Sequence, residues 1–176
     1  MDKQLREKLS AVKLGALDVD GVLTDGKAFY GSDGFEGLSF NVQDGSGIKY
    51  LQRCGVEVAL ITGRTVEAVA ARAEVLGIEH VYQGAKVKRE AWDALKSDTG
   101  LEDEAICYVG DDLPDIPVLR RAGVAVAVAN ARPEVREVAE IITAAPGGEG
   151  AVRELAEMIL KARGEWQEVL GRYLDQ

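Results

Sequence analysis

Short apolar runs recur along the chain, and between them lie segments with apolar residues at helical spacing. The runs 14–20 (LGALDVD), 56–62 (VEVALIT), 79–84 (EHVYQG), 105–111 (AICYVGD) and 124–130 (VAVAVAN) read as buried strands, and 140–143 (EIIT) as a shorter one. Segments 44–54, 65–76, 86–97, 113–122 and 151–162 read as helices. Strands alternating with helices predict βαβ units, so the expected fold is a doubly wound α/β fold around a parallel sheet, one domain spanning 1–176.

One segment departs from this rhythm. Residues 27–40, KAFYGSDGFEGLSF, hold a Gly-Ser-Asp-Gly turn between two short β-prone runs. They predict a β-hairpin directly after the first strand, placed to act as a flap over the acidic strand end. The chain closes with a tail, 163–176, in which Trp166 and Tyr173 are expected to anchor by packing.

Charge narrows the function. The 176 residues carry a net −9, from 21 Lys+Arg against 30 Asp+Glu. With no basic block, the chain lacks the clustered cations that hold nucleic acid. No stretch has the ~20 apolar residues of a membrane span. The charged N-terminus lacks the apolar core of a targeting segment. Cys54 and Cys107 stand outside any C-x-x-C and are expected as reduced thiols. A cytoplasmic protein with neither nucleic-acid nor membrane partners is expected. His80, the only histidine, reads as structural.

The candidate chemistry falls at strand ends, where open α/β sheets bind ligands. Asp18-Val-Asp20-Gly21 follows the first strand. Two neighbouring carboxylates there need a partner, which a divalent cation supplies. Asp18 is then placed to attack phosphorus, and Asp20 to pass a proton to the leaving alkoxide and take one from water. Thr62-Gly63-Arg64 follows the second run, where a Thr hydroxyl before a helix suits a phosphate oxygen, though an N-cap explains it equally. Lys86 or Lys88 supplies an ammonium for phosphate and nucleophile. Asp111, Asp112 and Asp115 follow a later strand and resemble a hard-metal site, with Pro114 marking a helix start.

These four clusters, in the order D-x-D, Thr, Lys, DD, resemble the haloacid dehalogenase superfamily. DVDGVLTDG, the stretch 40–51, ITGR, YQG-x-x-x-K, VGDDLPD and GGEGAVRE are similar to its 3-deoxy-D-manno-octulosonate 8-phosphate phosphatase branch, from Leu14 to about Ala162. The resemblance implies Asp18 as nucleophile, Asp20 as acid and base, and Thr62, Gly63 and Lys88 on phosphate, which selects Lys88 over Lys86. It implies Mg²⁺ held by Asp18, the Asp20 carbonyl and Asp111, with Asp112 and Asp115 at or just behind it. The stretches 21–61 and 63–87 leave no room for the cap domain usual in the superfamily.

The resemblance further implies a homotetramer in which neighbouring subunits close each other's sites. Flap hairpins would form the interface, and the segment with Gly147, Gly148 and Gly150 would reach over the catalytic centre. The substrate would be a small phosphorylated sugar acid. Arg64 favours the eight-carbon octulosonate over nine-carbon nonulosonates of the sialic-acid type, and Arg72 would hold the sugar carboxylate across the interface. Three rivals are weaker. A receiver domain reverses the motif order. A non-catalytic oligomerisation module would have lost acids that are all present. A dinucleotide-binding domain needs a G-x-G-x-x-G that the first strand lacks.

Overall fold

The computed structural model describes residues 2–174. Its centre is β1 (Leu14–Leu17), four residues buried on both faces. On one side β1 pairs in parallel with β4 (Glu57–Ile61), and on the other with β6 (Ile106–Gly110). Beyond β4 lies β5 (His80–Tyr82), and beyond β6 lie β7 (Val124–Ala127) and β8 (Ile141–Ile142). The six parallel strands run β5-β4-β1-β6-β7-β8, the doubly wound order expected. The chain moves outward from β1 in one direction and then in the other. That reversal opens a crevice at the carboxyl ends of the central strands.

The hairpin is present. β2 (Ala28–Tyr30) and β3 (Glu36–Leu38) pair antiparallel to each other and to nothing in the main sheet. The turn closes with the Gly31 N–H donating to the Phe35 carbonyl at 2.7 Å. Phe29, Tyr30 and Phe35 stand exposed on it. Between β1 and β4 the chain holds only this hairpin and α2 (Val42–Arg53), so no cap is inserted there.

The expected helices appear as α2, α3 (Glu67–Leu76), α4 (Lys88–Thr99) and, near the C-terminus, α7 (Ala151–Arg163). Segment 113–122 differs. It is a 3₁₀ turn over Leu113–Asp115 followed by the single helical turn of α5 (Ile116–Leu119). Pro114 and Pro117 remove two N–H donors, so a long helix gains little there. Three helices escape the sequence reading. The charged N-terminus forms α1 (Lys3–Ala11), with Asp2 accepting from the Leu5 N–H at 2.8 Å. A short α6 (Pro133–Val138) links β7 to β8. Much of the tail is α8 (Trp166–Leu174), and its last two residues lie outside the described ones. As expected, Trp166 and Tyr173 anchor it: both meet the Tyr50 ring edge-on, at 6.2 and 6.1 Å between centroids. No helix among the described residues is long and apolar enough to cross a membrane.

His80 lies in β5, its Nε2 3.2 Å from the Glu57 carboxylate on the neighbouring strand, and takes no part in the site below. Both cysteines are unpaired thiols.

α7 packs against α1 and α2, and one buried carboxylate fixes its start. Asp44, fully buried in α2, accepts from the backbone N–H groups of Gly150 (3.2 Å) and Arg153 (2.9 Å). Burial pushes its carboxyl above the ordinary range, and the helix N–H groups pull the other way. Removing this acceptor orphans donors at a buried helix end. Asp44→Ala should lose about 1–3 kcal/mol in chemical denaturation, and Asp44→Asn, which keeps an acceptor oxygen, distinctly less. Equal stability for wild type and both variants would refute this role.

Candidate active site

Asp18 is the first residue past β1. Its N–H donates to the Val109 carbonyl at 3.0 Å, which extends the β1–β6 ladder by one step and turns its carboxyl into the crevice. The chain then coils tightly. The Leu23 and Thr24 N–H groups both donate to the Val19 carbonyl, at 3.0 and 3.1 Å. The buried Thr24 hydroxyl accepts from Gly21 (3.3 Å) and Gly26 (3.2 Å) and lies 3.3 Å from the Val19 carbonyl that it can donate to. This hydroxyl shapes the acid loop and was not singled out from sequence. A buried Thr is legible as a knot only once its three backbone partners are known.

Lys88 opens α4 and is buried. Its Nζ lies 2.7 Å from Asp18 Oδ1 and 2.5 Å from Asp115 Oδ1. Lys86 is exposed at the rim of the same cavity, so geometry separates the two lysines that spacing alone left open. Asp115 is fully buried and engaged on both oxygens. Oδ1 accepts from Lys88 and from the Tyr108 hydroxyl (2.7 Å), and Oδ2 accepts from the Asp111 (2.9 Å) and Asp112 (3.1 Å) N–H groups. Asp112 itself is exposed and caps the 3₁₀ turn, accepting from the Leu113 N–H at 2.8 Å.

Asp18, Asp111 and Asp115 each place a carboxylate oxygen within 4.8 Å of the others. Three acids face one ammonium. Burial first, and then the Asp115 charge, raise the Asp18 carboxyl well above the ordinary range. The same causes push Asp111 up to about 6. Burial alone would pull Lys88 down, but the Asp18 and Asp115 charges outweigh it and hold the ammonium above its usual value. Asp111 Oδ1 is buried and has no hydrogen-bond partner. Opposed carboxylates need a shared proton or a cation between them. A hard divalent cation fits: the donors are all oxygen, the local charge is negative, and one oxygen is free. Gly21 leaves the space, since a Cβ there would lie 2.2 Å from Asp111 Oδ2.

The other expected residues divide. Thr62 is buried just past β4, its hydroxyl 3.5 Å from Asp20 Oδ2, and Gly63 lines the cavity. Arg64 donates to Asp20 Oδ1 at 2.6 Å, to the Tyr30 hydroxyl at 3.3 Å and to Glu36, so it ties the acid loop to the hairpin. Gly63 and Arg64, with Asp18, Asp20, Lys88 and Asp111, line a cavity of 440 Å³. Arg72 is not brought to it. It lies over Phe40 at 5.6 Å and donates to the Asn41 carbonyl at 3.1 Å, between α3 and the start of α2.

The Gly-rich segment also does something other than roof the cavity of its own chain. Gly147 and Gly148 pack closely on the acid loop. The Gly148 N–H donates to the Val22 carbonyl at 2.8 Å, and a Cβ on Gly147 would stand 1.6 Å from the Gly21 carbonyl oxygen. Gly150 makes no such approach and instead turns the chain into α7 with a left-handed backbone, φ 106°.

An aspartate cluster around a buried lysine at the switch point of a parallel sheet is the arrangement expected of the haloacid dehalogenase-like hydrolases, here without the cap usual among them. The signature of that hydrolase family matches residues 80–155. The chain is 43% identical to the 3-deoxy-D-manno-octulosonate 8-phosphate phosphatase of Escherichia coli over 165 residues, 94% of this chain and 88% of that one. Among solved structures, a probable YrbI family phosphatase from Pseudomonas syringae superposes with a TM-score of 0.95 at 48% identity, covering 98% of both chains. The 3-deoxy-D-manno-octulosonate 8-phosphate phosphatase from Moraxella catarrhalis, solved with magnesium, phosphate and the KDO molecule, superposes with a TM-score of 0.95 at 40% identity, covering 98% of this chain and 99% of that one. The chain belongs to the 3-deoxy-D-manno-octulosonate 8-phosphate phosphatase family.

The Gly147 contact makes a sharp test of how the acid loop is held. Gly147→Ala forces the loop or the segment to move, because backbone and not a flexible side chain is in the way. Thermal unfolding should shift down by an amount corresponding to about 1–3 kcal/mol, as for other overpacked sites, and phosphatase activity should fall with it. Wild-type melting and activity would show that the loop does not depend on this approach.

Proposed function

We propose that this chain is a magnesium-dependent phosphatase that cleaves 3-deoxy-D-manno-octulosonate 8-phosphate to the free sugar acid and phosphate. The observation that carries the chemistry is the buried Lys88 shared between Asp18 and Asp115 beside an unpartnered Asp111 oxygen. The substrate follows from family membership, and from a relative 40% identical that was solved with KDO, phosphate and magnesium.

In this reading Asp18 attacks phosphorus, and the bond from phosphorus to the C8 oxygen breaks. Asp20 gives its proton to the departing alkoxide. It then takes one from a water molecule, which attacks the aspartyl-phosphate and frees Asp18. Lys88 steadies the nucleophile and, with Thr62 and Gly63, receives phosphate oxygens. Asp18, the Asp20 carbonyl and Asp111 are the groups that would hold magnesium, with Asp112 and Asp115 behind them. When bound, the ion offsets carboxylate and phosphoryl charge, the main requirement of phosphoryl transfer. Arg64, engaged with Asp20 and Glu36, is the residue next to the sugar. A cytoplasmic place of action goes with unpaired thiols and a phosphorylated metabolite.

The site is completed by other copies of the chain. The exposed Phe29, Tyr30 and Phe35 of the hairpin suit a homotetramer interface, and Arg72, remote from its own cavity, suits a neighbour's substrate carboxylate. Sedimentation of the purified chain should give a tetramer. Arg72→Ala should raise KM about tenfold or more with a smaller change in kcat. A monomer with full activity would defeat the shared-site arrangement.

Phosphate release tests the function directly. The octulosonate 8-phosphate should be hydrolysed with magnesium and not with EDTA, and ahead of a nine-carbon 9-phosphate in kcat/KM. Asp18→Asn should fold and show no turnover. Preference for the nine-carbon substrate would discard the substrate assignment and keep the mechanism. An active Asp18→Asn would discard the mechanism, and a wild type inert on all sugar-acid phosphates would favour a non-catalytic module.

A further inference from the structure

β6 carries a tyrosine where a strand buried on both faces calls for a hydrocarbon. Tyr108 is 0% exposed, between the buried Cys107 and Val109, and its ring meets Trp92 edge-on at 5.9 Å between centroids. A phenylalanine would supply all of that packing. The hydroxyl therefore needs its own explanation, since burying an O–H is unfavourable unless it is bonded.

That hydroxyl donates to Asp115 Oδ1 at 2.7 Å. The Asp115 carboxylate then has two donors on each oxygen, which fills its acceptor capacity. A carboxylate in this state cannot turn without breaking several bonds, and no lone pair is left to compete for neighbours. Competition matters here. Lys88 Nζ is shared between Asp115 and Asp18 at almost equal lengths, 2.5 and 2.7 Å. If Asp115 loses one donor, its oxygen carries more charge to offer the ammonium. Lys88 is then drawn from Asp18 toward Asp115.

We propose that Tyr108 is a positioning residue of the phosphatase reaction: its hydroxyl fills the last acceptor site of Asp115 and so leaves Lys88 shared with Asp18. Tyr108 acts through Asp115 and Lys88, three contacts from Asp18. The inference rests on the function proposed above and adds a residue that neither spacing nor motif marks.

The test is steady-state hydrolysis of the octulosonate 8-phosphate by the full chain with substitutions at position 108 alone. Tyr108→Phe should lower kcat about tenfold, the scale of one hydrogen bond to a charged group, while KM stays within about threefold. Site-specific 4-fluorophenylalanine, which fills the space of the hydroxyl without a proton to donate, should behave as phenylalanine. Site-specific 3-fluorotyrosine, which keeps the O–H, should restore kcat to within about twofold of wild type. If the phenylalanine variant does not fold, the two fluorinated proteins give the comparison. Wild-type kcat in a folded protein lacking the hydroxyl overturns the proposal, even if melting falls. So does failure of 3-fluorotyrosine to restore kcat. A wild-type chain inert on this substrate overturns the function and this proposal together; an active wild type with an unaffected Tyr108→Phe overturns this proposal alone.

Discussion

A lysine ammonium buried between two aspartates is the interaction on which the rest of the site depends. Burying Lys88, Asp18 and Asp115 separately would be prohibitive, because each ion leaves water and gains nothing. Together they are tolerable, provided every remaining lone pair finds a donor. Asp115 meets that condition with the Asp111 and Asp112 N–H groups and the Tyr108 hydroxyl. The network therefore joins four places: the residue past β1, the start of α4, the middle of β6 and the turn after β6. None of them can shift independently of the others. This rigidity suits phosphoryl transfer, where most of the catalysis is positioning and charge.

The balance is deliberately incomplete on one side. Asp111 faces Asp18 with one oxygen unpartnered, and both carboxyls are held above their ordinary range, first by burial and then by the Asp115 charge. Excess negative charge in a buried site lowers stability and raises affinity for a cation at the same time. The stability lost there is recovered in the sheet, where β1, β4, β6 and β7 are almost wholly apolar and buried. The acid loop is also braced by Gly147 and Gly148, so the chain's C-terminal third fixes a loop near its N-terminus.

Arg64 sets a second level of organisation. It connects Asp20 with Glu36 and Tyr30, so the hairpin that has no partner in the main sheet is held to the acid loop by one guanidinium. The fork geometry of arginine allows it to engage both carboxylates at once, which a lysine would do poorly. The absence of an inserted cap makes this tie important: it holds the hairpin beside the acid loop, and in the proposed assembly neighbouring chains close the cavity.

Much of this was legible in the linear chain. The apolar runs and the helical spacing between them point to a doubly wound parallel sheet, because strands that alternate with helices form βαβ units whose helices cover both faces. The Gly-Ser-Asp-Gly turn determines the hairpin, and the position of acids, Thr and Lys at strand ends determines which residues meet. What tertiary structure alone decided is which partners those residues take. Lys88, which the family resemblance already favoured over Lys86, takes Asp18 and Asp115 as partners because the first residue of α4 points into the buried charge cluster. Arg72 leaves its own cavity because Phe40 and the Asn41 carbonyl hold it elsewhere. Gly147 and Gly148 support the loop instead of covering the cavity, because their backbone meets Gly21 to Asp25. Tyr108, Thr24 and Asp44 carry no local signature, since a buried hydroxyl or carboxylate acquires its role from donors and acceptors distant in sequence, and those are set by packing.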